Sequence, residues 1–277
     1  MGTYSRVVSV VKPINQIRTF IGGEAKDITS AWVFVNSVRK QVFPTTEEYT
    51  EVYSKTASGT YSTTLGFGKY KIVLSGAGGA GGAAAAKNID NIEGELKTYG
   101  QNGFAGEKNE TIIMIGENET KNINIVIGQG GGQAYVTATS DMSTMVATAG
   151  TGGTGYVSGT AGASTFGVTT GYTNASSSVA GGGGGGSSRV LVDGAQLLVS
   201  KGGNGGEAGA PSDKSGTVYT LRTATGGIGG SGGTTTGSGS SGGIGRKTVT
   251  VLTSATAYSN AGTDGYIHIY KSNIYPA

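Results

Sequence analysis

"KYKIVLSGAGGAGGAAAAK", residues 69–87, reads as an apolar strand, then Gly76-x-Gly78-x-x-Gly81, then four alanines able to open a helix. These are the letters of a dinucleotide-binding turn. That turn needs a βαβ unit whose helix dipole and backbone N–H groups aim at a pyrophosphate. Asp90 or Glu95 would stand where the ribose-binding acid belongs. The rest of the chain reads against this. No second βα unit follows, and the same glycine pattern recurs at least five times with no helix after it. Residues 83–86 are the one candidate helical turn.

The glycine needs a different explanation. It fills 54 of 277 positions, against a usual share of about 7%. Glycine loses more backbone entropy on folding than any other residue, so this much of it implies a geometry other residues cannot meet. Non-glycine letters interrupt the runs every third residue: Ala77, Ala80 and Ala83; Thr151 and Thr154; Asn204 and Glu207; Ile228, Ser231 and Thr234. Residues 181–186 are glycine throughout. Period three is neither helical (3.6) nor strand-like (2). It is the period of an extended polyproline-II-type helix. Gly-Gly-x on such a helix leaves two of three edges bare, so close neighbours are expected on two sides. With 4 prolines, a collagen-like chain is excluded. The expectation is a bundle of antiparallel polyglycine-II-type helices over 76–82, 150–155, 181–186, 202–209, 226–233 and 242–245.

Strand signals bracket these runs. "GTYSTTLGFGKYKIVLSG" (59–76), "ETIIMIGENETKNINIVIG" (110–128) and "GTDGYIHIYK" (262–271) alternate apolar and polar residues. "RVLVDGAQLLVS" (189–200) reads as a hairpin turning at Asp193-Gly194. Residues 1–56 are compositionally ordinary. "RVVSVV" and "AWVFVNSVRKQVF" (31–43) read as half-buried strands, with turns at Gly22-Gly23 and Asn36-Ser37. The fold class is therefore mainly β. A small N-terminal β module (1–56) precedes a glycine-rich domain of strands and bundled polyglycine-II-type helices (57–277). Trp32, the single tryptophan, anchors the core of that module or docks it onto another protein.

Composition also excludes. No cysteine is present, which removes disulfides and thiolate metal sites. Net charge is +3, with basic residues scattered, so no nucleic-acid-binding arm is seen. No apolar run approaches the ~20 residues of a membrane span, and no signal peptide is read at the start. His268, the one histidine, lies in a strand between isoleucines, so a catalytic triad is not expected. Glu47, Glu48 and Glu51 read as a solvated face. No catalytic residue, metal ligand or cofactor is assigned. What remains are the segments between glycine runs: 133–149, 163–180, 210–225 and 246–260. They set Tyr and Phe amid Ser, Thr and Asn, a composition suited to adaptable recognition. Their candidate contact residues are Tyr135, Phe166, Tyr172, Tyr219, Arg222 and Tyr258.

Gly-Gly-x bursts separated by Ser/Thr/Tyr-rich loops resemble the polyglycine-helix adhesins at the distal tips of T-even-like phage tail fibres. "YKIVLSGAGGAGG", "GASTFG" followed by "GGGGGG", and the terminal "DGYIHIY" carry the likeness, which covers about residues 57–277. Residues 1–56 depart from it and look more like short β repeats of other phage tail proteins. The resemblance implies a virion protein acting outside the cell, at the distal tail fibre. Its loops would bind a bacterial outer-membrane protein or surface glycan, with no membrane insertion. Its N-terminal module, through Trp32, would join other tail-fibre subunits. The other reading is a structural or cell-surface glycine-rich protein of matrix or ice-binding type. An ice binder should present a regular Thr or Ala array, whereas the x positions here are mixed.

Overall fold

A computed structural model of the chain describes residues 17–21, 24–28, 31–35, 38–43, 46–87, 98–138, 145–168, 176–215, 218–243, 246–250 and 255–274. Among these the chain is mainly β, as the alternating apolar patterns require. At the N-terminus, β1 (Ile17–Ile21) pairs antiparallel with β2 (Glu24–Ile28), and β3 (Ala31–Val35) with β4 (Val38–Phe43). These pairs flank the two turns expected at 22–23 and 36–37. Trp32 sits in β3 opposite Gln41. The "RVVSVV" segment falls outside the described residues.

Eight strands form the base of the molecule. They are β5 (Tyr49–Lys55), β6 (Gly59–Leu65), β7 (Gly68–Ser75), β10 (Lys108–Ile115), β11 (Lys121–Ile127), β16 (Ser188–Val192), β17 (Ala195–Ser200) and β22 (Tyr266–Ser272). They build two four-stranded sheets, ordered β10-β7-β22-β5 and β17-β16-β11-β6. β5, before the composition change at residue 57, pairs with the last strand of the chain. The sheets share one core of Ile72, Leu74, Ile115, Ile123, Ile125, Val190, Ile267 and Ile269, each wholly buried. Period-2 alternation puts these residues on the inner faces. The β16–β17 hairpin turns at Asp193 (φ 49°) and Gly194 (φ 84°). Two consecutive positive φ values are what a two-residue primed turn requires.

Between the strands run ten segments, among the described residues, that are neither strand nor α-helix: 76–82, 101–107, 128–134, 150–156, 157–163, 181–187, 201–207, 225–229, 237–243 and 259–265. Their amides bond from run to run. From Gly76 onward they donate to Glu107, Gly186 and Thr263, then in the same order to Phe104, Gly183 and Asn260, then to Gln101, at 2.8–3.1 Å. Every third amide thus reaches the same neighbour. Residues 181–187 repeat this with three other partners: Ala163, Gly206 and Gly132, then Thr160, Gly203 and Gln129, then Val157. Carbonyls of both runs accept from three further runs each. So 76–82 and 181–187 each have six neighbours. The other eight runs close a ring around them, bonding from each to the next. Runs consecutive in the chain point in opposite directions.

The runs lead into three further sheets at the end away from the base. One is β13 (Met145–Thr148), β12 (Tyr135–Ala138) and β21 (Ala255–Tyr258), in that order. The second is β14 (Ser164–Val168), β15 (Ser176–Ala180), β8 (Ala83–Lys87) and β20 (Arg246–Thr250). The third is β19 (Val218–Ala224), β18 (Ala208–Ser215) and β9 (Tyr99–Gly100). Sheets of three, four and three strands therefore continue a bundle of ten runs, which stack in three layers of the same numbers. The second sheet lies in the middle. Ala83 and Ala85 pack toward Val136 and Ala257 of the first sheet. Ala84 and Ala86 pack toward Ala208, Ala210 and Ala224 of the third.

This corrects the helical turn expected at 83–86, which is strand β8. Alanine favours helix in isolation. Here all four side chains are fully buried on both faces of a central strand, and packing overrides propensity. The expected stretch 202–209 likewise ends at residue 207, before β18, and 226–233 ends at 229, before a 3₁₀ turn (Gly230–Gly232). Of 242–245, residues 242–243 close a run that starts at 237, and 244–245 fall outside the described residues.

Serines mark where strand gives way to run. Ser75, Ser188 and Ser200 are fully buried. Ser188 Oγ donates to the Ser75 carbonyl at 2.7 Å and accepts from the Gly128 amide at 3.0 Å. Ser200 Oγ donates to the Leu74 carbonyl at 2.9 Å. Asp264 accepts from the amides of Ser58 and Gly130. Each hydroxyl or carboxylate satisfies a group stranded by the change of partner, whose burial alone would cost about 1–3 kcal/mol.

Glycine in the runs answers to space, not to φ. Gly183 is not among the positive-φ residues. A Cβ built on it would fall on the Thr151 carbonyl oxygen. Gly183→Val is therefore expected to destabilise by ~3 kcal/mol, the upper end of overpacking costs. Thr154 is exposed and its hydroxyl donates to the Gln129 side chain, so Thr154→Val should cost less than ~1 kcal/mol. Thermal melts compare them, and equal melting temperatures would refute the packing of this run.

On the base, Glu47 meets Lys69 at 2.8 Å and accepts from Ser272. The Lys69 hydrogen bond, then that of Ser272, holds the carboxyl below the ordinary glutamate value. Its contribution to stability is present above that ordinary value and is lost as pH falls through the lower folded one. A carboxyl-resolved NMR titration should show the depressed value, and Lys69→Met should raise it.

Candidate functional site

Five long stretches of sequence connect runs apart from the strand hairpins of the base: 83–100, 135–149, 164–180, 208–224 and 244–258. Their described strands all lie at the end carrying the three small sheets. The first was not expected from sequence, because the run 101–107 that closes it was not among the expected runs. Its signal was the pair Gly103 and Gly106, three apart, which places another run directly after it. At the base end the connections are the β10–β11 and β16–β17 hairpins and short links near 157 and 231–236.

The expected contact residues distribute over all three sheets. Tyr135 in β12 lies directly opposite Tyr258 in β21. Their ring centroids are 5.7 Å apart with 30° between planes. Phe166 is in β14 opposite Ser178 of the middle sheet. Tyr219 and Arg222 are in β19, opposite Lys214 and Ala210; Arg222 is half-buried. Tyr172 falls outside the described residues. The structure thus brings Tyr135 and Tyr258 together and leaves Phe166, Tyr219 and Arg222 on strands of other sheets.

Among the described residues of this end there is no histidine. The histidine sits instead on the base, where His268 Nδ1 meets Glu51 Oε2 at 2.7 Å on the outer face of β22. Its ring lies between Tyr266 and Tyr270, at 5.2 and 6.1 Å. Glu47 and Glu51, read as a solvated face, are each in such a pair. A shallow concavity on the base is lined by Ser62, Thr63, Thr64, Asn122 and Asn124, none of which titrates near neutral pH. Among the described residues no group of three or more His, Asp or Glu could hold a metal ion. No helix among them is long and apolar enough to cross a membrane.

Arg189 gives one further contact that links bundle to base. Its guanidinium lies 3.9 Å from the ring centre of Tyr156, a cation–π contact typically worth ~0.5–1 kcal/mol at exposed sites. It fixes the short link after 150–156 against strand β16. No protein-family model matches the sequence, and no curated protein matches it significantly.

Proposed function

We propose that this chain is a receptor-binding adhesin carried at the distal tip of a phage tail fibre. The observation that supports it most is the gathering of five long connections at one end of a hydrogen-bonded bundle. Loops held on a rigid scaffold are where binding concentrates. The reading takes the ten runs to be polyglycine-II-type helices. Two features favour that assignment: hydrogen-bond partners that recur every third residue, and Gly229 at φ −66°, ψ 153°, close to polyproline-II values. At ~3.1 Å per residue, seven residues would span ~22 Å. The bundle then works as a short, stiff spacer between base and tip.

On this reading the tip meets an outer-membrane protein or surface glycan of a bacterium, and the molecule acts outside the cell as part of a virion. The N-terminal module, with Trp32, joins it to other fibre subunits. No reaction and no cofactor are involved. A neutral, hydroxyl-rich tip gives little long-range steering, so affinity comes from close contact. Several tips on one particle multiply a weak site by ~10²–10⁴ where geometry allows.

Beads displaying many copies of the chain should adsorb to some members of a bacterial panel. Alanine replacements are made in pairs: Tyr135 with Tyr258, Phe166 with Tyr172, Tyr219 with Arg222. At least one pair is expected to weaken adsorption by ~2 kcal/mol or more, the range of interface anchors, with the melting temperature unchanged. If all three pairs adsorb normally while changes in residues 1–56 abolish adsorption, the binding end has been assigned to the wrong end of the chain.

A further inference from the structure

The sheet β13-β12-β21 has one face on the middle sheet and one on solvent. Val136 and Ala257 are buried on the inner face, with Ala147 packed beside them. Strand alternation then turns Tyr135, Thr137, Thr148, Thr256 and Tyr258 outward. Tyr258 keeps 51% of its surface exposed. An aromatic side chain that merely covered a core would bury most of that area. None of the twelve residues of the three strands is charged.

We propose that Tyr135 and Tyr258 form a stacking platform for a sugar ring of an uncharged saccharide. The proposal rests on the adhesin reading and names its ligand class. The C–H bonds on one face of a pyranose carry partial positive charge, and the face of a tyrosine ring is negative. Two rings held side by side, 5.7 Å apart and splayed by 30°, offer a surface rather than a single contact. Register sets threonine hydroxyls around them. Thr148 lies opposite Tyr135 on the other side, and Thr137 and Thr256 face each other in the next row. A hydroxyl both donates and accepts, which matches sugar hydroxyls without selecting for charge. An acidic sugar would find no cation on these strands, and a peptide would find no counter-charge for its side chains. The rings are set by paired β-strands that run on from glycine runs, so little ordering cost falls on binding.

The test uses the full chain displayed on beads, against a printed array of uncharged and acidic bacterial polysaccharides. Wild type is expected to bind uncharged glycans. Tyr258→Ala and Tyr135→Ala should each weaken that binding about tenfold or more, as interface anchors do. Tyr258→Phe keeps the ring and should stay within about threefold of wild type, which separates stacking from loss of fold. Melting temperatures accompany each variant. In parallel, cells that adsorb the beads are treated with periodate, which destroys vicinal diols of sugars, or with protease. Loss of adsorption after periodate supports the platform. Binding confined to acidic glycans, binding to no glycan on the array, or wild-type binding by Tyr258→Ala overturns it. Adsorption abolished by protease but not by periodate also overturns it, and leaves the adhesin reading standing. Failure to adsorb to any cell, with uncharged glycans still bound on the array, overturns the adhesin reading and leaves the saccharide site.

Discussion

The bundle depends on one constraint: a backbone amide of one run must reach a carbonyl of another through space a Cβ would occupy. Around 181–187 this holds on every side. Each of the seven amides donates to another run, and a Cβ on any of Gly181 to Gly186 would meet a neighbouring backbone. Glycine's extra entropy cost is ~0.5–1 kcal/mol per residue relative to alanine. A net hydrogen bond returns ~0.5–1.5 kcal/mol, which about cancels it. The deciding quantity is the ~1–3 kcal/mol lost for every buried amide left without a partner. A side chain that pushes two runs apart strands several such groups at once, so the runs tolerate glycine and little else on their inner edges.

Which positions must be glycine then depends on what each edge faces. The central run 181–187 carries six consecutive glycines, whereas 76–82, with as many neighbours, admits Ala77 and Ala80, both fully buried. In 101–107, at the rim, only Gly103 and Gly106 are glycine, and both face run 76–82, where a Cβ would strike Gly79 and Gly76. Gly159 and Gly162 do the same against Gly184 and Gly181. Such a bundle has little apolar surface of its own to bury. It is closed at one end by an isoleucine-rich core and at the other by sheets whose alanines bring backbones close without voids. Buried serines at the first junction let a strand change partners without leaving an orphan group.

Much of this was legible in the sequence, and the failures are instructive. Base strands were readable because apolar alternation has a period of two, and the Asp193-Gly194 turn because its geometry selects those residues. Six runs were readable where Gly-Gly-x repeated. The rim runs 101–107, 157–163 and 259–265 were missed because one glycine in three looks like ordinary loop composition, and 128–134 because its four glycines do not keep the Gly-Gly-x phase. The alanines of β8 misled because propensity is local, whereas their burial between two sheets is set by residues far along the chain. Of the contact residues, the Tyr135–Tyr258 pairing could not be read at all. It joins positions more than a hundred residues apart, and only the order of runs in the bundle makes their strands neighbours.

That order has a consequence for how binding and folding are separated. The glycines on inner edges of the runs are held fixed, because a Cβ at those positions meets neighbouring backbone. The described strands of the far-end connections lie beyond the last inter-run hydrogen bond, so their sequences are not held by this constraint. The base, with its own apolar core, is equally insulated from changes at the tip. Variation in a connection would therefore alter the surface presented without passing through the bundle. For a protein that meets changing cell surfaces, as proposed here, such independence matters more than the strength of any one contact. The glycine that looked like a phosphate cradle is, on this account, the part of the sequence least free to take up specific chemistry.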